Sequence, residues 1–179
     1  FGPRAGGIET FIIGLVERLP KGSVIVFTSA QENSQPFDKA WRENFGVEVI
    51  RDRSKILLPT FRVGRSVRSI IAERDIQSVF FGAAAPLGLL AKGARSGGAR
   101  KIVALTHGHE VWWAKIWPFS SAIKRIGRDV DVLTYLGDYT KSAISKALSK
   151  SSQEKLVRLA PGIDIDHFSP AKKNPRIRR

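Results

Sequence analysis

Apolar positions along the chain follow two alternating patterns. Ile8, Phe11, Ile12, Leu15, Val16 and Leu19 recur at helical steps. They predict a helix over 7–19 with one buried stripe, stopped by Pro20 and Gly22. Residues 23–28 then form a short continuous run rich in β-branched side chains, the pattern of a strand covered on both faces. Residues 30–46 are polar with a short helix, and 47–50 are a second strand. A helix follows Pro59, with Val63, Val67, Ile70 and Ile71 on one side. Strands are expected at 78–82, 101–106, 131–135 and 156–159. Between them lie helices at 84–94, with Pro86 in the first turn, at 119–129 under a Ser120 or Ser121 cap, and from a capping Asp138 to Leu148.

Buried strands alternating with amphipathic helices require crossover connections and a parallel sheet covered on both faces. The expected fold is therefore α/β: a doubly wound, Rossmann-like domain over residues 1–170, with residues 171–179 as a basic linker or tail. One feature departs from that order. The pattern starts with a loop and a helix where such a domain starts with its central strand, so a gap is expected beside helix 7–19. Phe1-Gly2-Pro3 reads as the interior of a longer chain.

Composition narrows the function. The 179 residues are 42% hydrophobic and 26% charged, enough for one ordinary core and too apolar for a disordered chain. No apolar run approaches the roughly 20 residues that span a bilayer. Cysteine is absent, so redox compartment is not readable. The net charge of +14 predicts attraction to polyanions: nucleic acid, anionic lipid or phosphorylated small molecules.

Three motifs carry candidate chemistry. Gly6-Gly7 precede the first helix, where unhindered backbone and free N–H groups suit a diphosphate. The alternative is a plain glycine turn, and the full dinucleotide fingerprint is lacking. Thr106-His107-Gly108-His109-Glu110 ends a strand, where open α/β sheets bind ligands. Zinc is disfavoured there because the helical His-Glu-x-x-His spacing is missing. An active-site loop and a structural turn both remain open, and Glu110 would either orient a histidine or start a helix. The third motif, residues 159–170, is a Pro/Gly-punctuated exit from the domain.

Basic and aromatic side chains suggest a surface. Arg62, Arg65 and Arg68 lie opposite the apolar face of their helix, and Trp112, Trp113, Trp117 and Phe119 precede Lys124, Arg125 and Arg128. Such pairings suit a lipid-headgroup interface, although aromatic clusters are more often core.

Taken in order, Gly6-Gly7, the Phe81–Leu87 segment, Thr-His-Gly-His-Glu and the Pro-Gly-Ile-Asp exit resemble glycosyltransferase family four, the retaining GT-B type with two Rossmann-like domains. Within it the chain is most similar to actinobacterial phosphatidylinositol mannoside mannosyltransferases. The resemblance implies an N-terminal, acceptor-side domain that is inactive alone, partnered by a C-terminal domain holding a sugar nucleotide, GDP-mannose. It implies that Gly6 and Gly7 approach the donor diphosphate and that His107 faces the transferred sugar. It further implies that Glu110 belongs to the catalytic loop, and that no metal or other cofactor is held by this chain. Arg62, Arg65, Arg68, Trp112 and Trp113 would form an acceptor or membrane surface, placing the protein in the cytoplasm, peripheral to the inner face of the plasma membrane. Another glycolipid or a soluble acceptor is the rival reading. A nucleic-acid-binding domain has only the charge in its favour, since no recognition motif appears.

Overall fold

The computed structural model describes residues 1–4 and 6–162. In chain order the elements are α1 (Gly7–Glu17), β1 (Ile25–Ser29), α2 (Gln35–Phe45), β2 (Glu48–Asp52), α3 (Phe61–Glu73) and β3 (Ser78–Phe81). A 3-10 turn (Leu87–Leu90) leads into α4 (Ala91–Ser96), β4 (Lys101–Ala104), α5 (Glu110–Lys115), α6 (Phe119–Asp129) and β5 (Val132–Tyr135). The last described elements are α7 (Asp138–Ser145), α8 (Lys150–Gln153) and β6 (Leu156–Arg158).

Every strand pair is parallel, as helical crossovers require. The strands form two sheets. One holds β1 and β2, with Ile25 opposite Glu48 and Ser29 opposite Asp52. The other runs β3-β4-β5-β6. Among the described residues no ladder joins β1 to β3, and the expected gap falls there. Its effect is visible on its neighbours. Only Val16 of the apolar helix α1 is fully buried, and in β1 only Thr28 is. The expectation that residues 23–28 are covered on both faces holds only in part: Val24 and Val26 pack against Val16, Trp41 and Val47, and Phe27 packs against a separate cluster, yet these side chains stay half-buried.

The main core lies between the four-stranded sheet and its helices and includes Val63, Ile71, Phe81, Ile102, Ile123, Ile126, Leu133 and Ile144. A smaller core of Val16, Trp41 and Val47 serves the other sheet, with Trp41 stacked on Phe37 and Phe45. Phe27 of β1 and Leu57 pack on the main core and so connect the two halves.

Several local expectations are corrected. The 84–94 helix is a 3-10 turn followed by α4, and Gly88 within that turn sits against Ile126, where a Cβ would come within 2.7 Å of Cγ2. Neither Ser120 nor Ser121 caps α6. Pro118 holds the N-cap position, and no side chain bonds there. Asp138 is the first residue of α7 and Gly137 is its cap. The α6 end is instead closed from a distance: Lys155 Nζ donates to the carbonyls of Gly127, Arg128 and Val130 at 2.8–3.1 Å. Helix α5 starts at Glu110, one of the two roles open to that residue, whereas α8 falls in a stretch where no helix is expected. The 171–179 tail and most of the 159–170 motif lie outside the described residues.

Candidate active site

The parallel strands β3, β4 and β5 end at one edge, and the Thr106–Glu110 segment leaves β4 there. Thr106 is fastened first. Its hydroxyl donates to the Thr134 carbonyl at 2.7 Å, and its N–H points to the Thr134 hydroxyl at 3.3 Å. Both threonines are buried. The Leu105 carbonyl accepts from Ala84 N–H at 2.7 Å, tying the loop after β3 to the same edge.

His107 and His109 reach sideways to the loop after β3. His107 Nε2 lies 2.6 Å from the Gly82 carbonyl, and His109 Nε2 lies 3.1 Å from the Ala85 carbonyl. A carbonyl can only accept, so each Nε2 carries the proton, and neutral His107 keeps a bare Nδ1 able to accept from a hydroxyl. That tautomer follows from the partners. Gly108 has φ +100, a conformation that glycine adopts without strain, and it turns the chain between the two rings.

Glu110 opens α5 and is fully buried. Its Oε2 accepts from the N–H groups of His107 and Gly108 at 3.0 and 3.1 Å. Its Oε1 is buried with no hydrogen-bond partner and faces His109 Nε2 at 3.4 Å. Sealed from solvent, the carboxylate acts on the loop that carries His107.

Helix α1 brings the glycine pair to this edge. Phe11 sets its ring edge-on to His107, with centroids 5.5 Å apart, and Ile12 packs over Gly82, where a Cβ would meet Cδ1 at 3.3 Å. Gly7 lies four residues before Phe11, roughly 6 Å along the axis. Gly6 is extended at φ −165, and a Cβ on Gly7 would meet nothing within 4 Å. The fold itself therefore does not demand glycine at position 7.

The other expected residues are placed elsewhere. Arg62 is not a free surface cation. It grips the buried Asp52 through two bonds of 2.6 and 2.8 Å and reaches Ser54 at 2.7 Å. Those bonds hold the Asp52 carboxyl far below its ordinary range. Arg65 and Arg68 are exposed. Trp113 is half-buried and packs on the main core and on Phe119, whereas Trp112 is 53% exposed. Among the described residues, no three His, Cys, Asp or Glu side chains gather closely enough to hold a metal ion. A crevice lined by Lys92, Arg95, Arg128 and Asp129 sits where α4 and α6 end, at the opposite edge, and Arg95 and Arg128 are already paired with Asp131 and Asp129.

Sequence reasoning had His109 in the motif without its Ala85 partner, and missed Thr134 and the Gly82 carbonyl. The signal for Thr134 is a hydroxyl ending a neighbouring strand, readable only once β4 and β5 are known to be adjacent.

Comparison with known proteins gives three results. The model of Glycosyltransferase Family 4 matches residues 5–167. The chain is 40% identical over 172 residues to a GDP-mannose-dependent alpha-(1-6)-phosphatidylinositol monomannoside mannosyltransferase of Mycolicibacterium smegmatis, covering 95% of this chain and 44% of that protein. It is 38% identical over 173 residues to the GDP-mannose-dependent monoacylated alpha-(1-6)-phosphatidylinositol monomannoside mannosyltransferase of Corynebacterium glutamicum, again covering 44% of it. The chain thus spans less than half the length of these curated relatives. Among solved structures, Anabaena HepE in complex with UDP and glucose superposes with a TM-score of 0.69 at 14% identity, over 94% of this chain and 45% of that one. That likeness concerns the fold.

Proposed function

The chain belongs to glycosyltransferase family 4, and from that premise we propose that it forms the acceptor-side half of a retaining mannosyltransferase acting from GDP-mannose on a phosphatidylinositol mannoside. The observation that carries this reading is identity near 40% sustained over 95% of the chain with proteins named for that reaction. The greater length of those relatives supports a second domain that grips most of the nucleotide, so the 179 residues alone would not transfer sugar.

In this reading the acceptor hydroxyl oxygen forms the new bond to the anomeric carbon while the bond from that carbon to the diphosphate oxygen breaks. The proton passes from the hydroxyl to the departing diphosphate, on the same face, and configuration is retained. The open space at Gly7 lets the diphosphate approach the start of α1, whose free N–H groups favour the developing negative charge. His107, its Nε2 occupied by Gly82, offers Nδ1 to a sugar hydroxyl and aligns the ring as positive charge grows at the anomeric carbon. Glu110 and Thr106 act indirectly, by holding the loop that carries His107. Among the described residues no helix is long and apolar enough to cross a membrane. A working position against the inner face of the plasma membrane, held peripherally, suits the lipid acceptor.

The test is transfer by the full-length protein from GDP-mannose to purified phosphatidylinositol monomannoside, with the anomeric configuration of the product read by NMR. An α-linked dimannoside is expected. A β-linked product, or no product with this acceptor alongside transfer to an unrelated one, contradicts the proposal.

A further inference from the structure

Two loops meet at the edge where the strands end, the one after β3 and the one after β4, and three hydrogen bonds fasten them together. His107 Nε2 donates to the Gly82 carbonyl at 2.6 Å, Ala84 N–H to the Leu105 carbonyl at 2.7 Å, and His109 Nε2 to the Ala85 carbonyl at 3.1 Å. The two histidines thus grip the two ends of one short segment, Gly82 to Ala85. Ala84 and Ala85 are buried, and Ile12 packs over Gly82, so little water can replace a lost protein partner there.

His109 also stands beside the buried acid. Glu110 Oε1 has no hydrogen-bond partner, and His109 Nε2 lies 3.4 Å from it. That is too long for a second full hydrogen bond. It is close enough for the positive end of the ring N–H to face the carboxylate, where low dielectric strengthens the attraction. One N–H therefore sits between an acceptor on the loop after β3 and an acid on α5. The other oxygen of that acid accepts from the N–H groups of His107 and Gly108. His109 thus touches both supports of His107: the segment that holds its ring through Gly82, and the carboxylate that holds its backbone.

We propose that His109 is a positioning residue for sugar transfer: its ring N–H, set between the Ala85 carbonyl and Glu110 Oε1, locks the 82–85 segment to the loop that carries His107 and keeps the His107 ring aligned with Nδ1 free. Its effect on rate rests on the transferase reading, whereas the lock itself is a property of the fold.

The experiment compares full-length wild type, His109→Phe and His109→Gln. Phenylalanine keeps a ring and removes the donor, while the Gln amide nitrogen reaches the place of Nε2 and restores one. The His109 side chain is 42% exposed, so both variants should fold. His109→Ala carries the same expectation as His109→Phe should the latter not be recovered folded. In folded His109→Phe, kcat should fall about tenfold or more while GDP-mannose affinity by calorimetry stays near wild type, and His109→Gln should recover most of the loss. Nitrogen NMR of the His107 ring reads the lock without turnover. Wild type should show the Nε2–H tautomer, and His109→Phe a mixture of the two. In a Glu110→Ala background, where the loop is already released, His109→Phe should lower kcat by less than about twofold. The proposal is overturned if folded His109→Phe turns over like wild type, if His109→Gln is as slow as His109→Phe, or if His107 keeps a single tautomer in His109→Phe. Losses from His109→Phe and Glu110→Ala that simply multiply would overturn it as well. A wild type that transfers no mannose counts against the transferase reading instead, and the tautomer then decides the lock by itself.

Discussion

Replacing Glu110 by Ala should unsettle the loop that carries His107 more than any change at the loop's surface. The carboxylate is buried and accepts two backbone N–H groups, those of His107 and Gly108. Hydrogen bonds to a charged group contribute about 1.5–3 kcal/mol each, and stripping the acceptor leaves both N–H groups without a partner. Against this, the variant also removes Oε1, whose burial without a partner costs about 1–3 kcal/mol. The net expectation is a loss of about 2–3 kcal/mol of stability. In a domain this size that lowers the melting temperature by about 5–10 °C. Glu110→Gln should cost less, since the amide keeps one acceptor for the two N–H groups. It cannot be neutral, because its NH2 would face His109 Nε2–H, another donor. Differential scanning calorimetry of the three proteins reads the series directly. Turnover of the full-length variants, corrected for folded fraction, should fall in the same order. Melting of Glu110→Ala within about 1 °C of wild type would refute the clamp.

Other consequences can be checked alongside. Gly7→Ala should leave the fold intact or stabilise it by about 0.4–1 kcal/mol, since a Cβ there meets nothing and alanine favours helix. Gly7→Val should nonetheless weaken donor binding measured by calorimetry, and unchanged affinity would show that position 7 does not face the diphosphate. Asp52 has its carboxyl pKa lowered by hydrogen bonds from Arg62, so its contribution is fully present above the ordinary value of 3.8 and is lost as pH falls through the depressed one. Asp52→Asn should therefore melt below wild type by a constant margin between about pH 5 and 8, with the two curves converging only in stronger acid. A margin that closes already near neutrality would contradict the pairing.

How much was legible beforehand depended on whether the determinant was local. The β-branched runs and helical stripes located the six strands among the described residues and most of the helices, because periodicity is a property of the segment itself. The break between β1 and β3 was also readable, since the pattern in these residues supplies no strand to lie between them. Arg62 was misplaced because its partner, Asp52, sits ten residues earlier on another element, and helical phase alone makes all three arginines look alike. Glu110 was singled out, but nothing in five consecutive residues distinguishes an acid aimed at a substrate from one folded back on the N–H groups of His107 and Gly108. The Thr106–Thr134 exchange and the two histidine-to-carbonyl bonds depend on strand order, which a linear pattern does not contain. Leu57, inward between outward Ile56 and Leu58, was unreadable for the same reason.

The most direct test of the account is steady-state mannosyl transfer by full-length wild type and His107→Ala, paired with calorimetric titration of GDP-mannose. A group that faces the reacting sugar acts chiefly in the transition state, while the nucleotide is held by other residues. The account predicts that kcat falls by about two orders of magnitude, the size expected for loss of one transition-state contact, while donor affinity stays near wild type. Wild-type turnover in His107→Ala would contradict it and remove this loop from the active site.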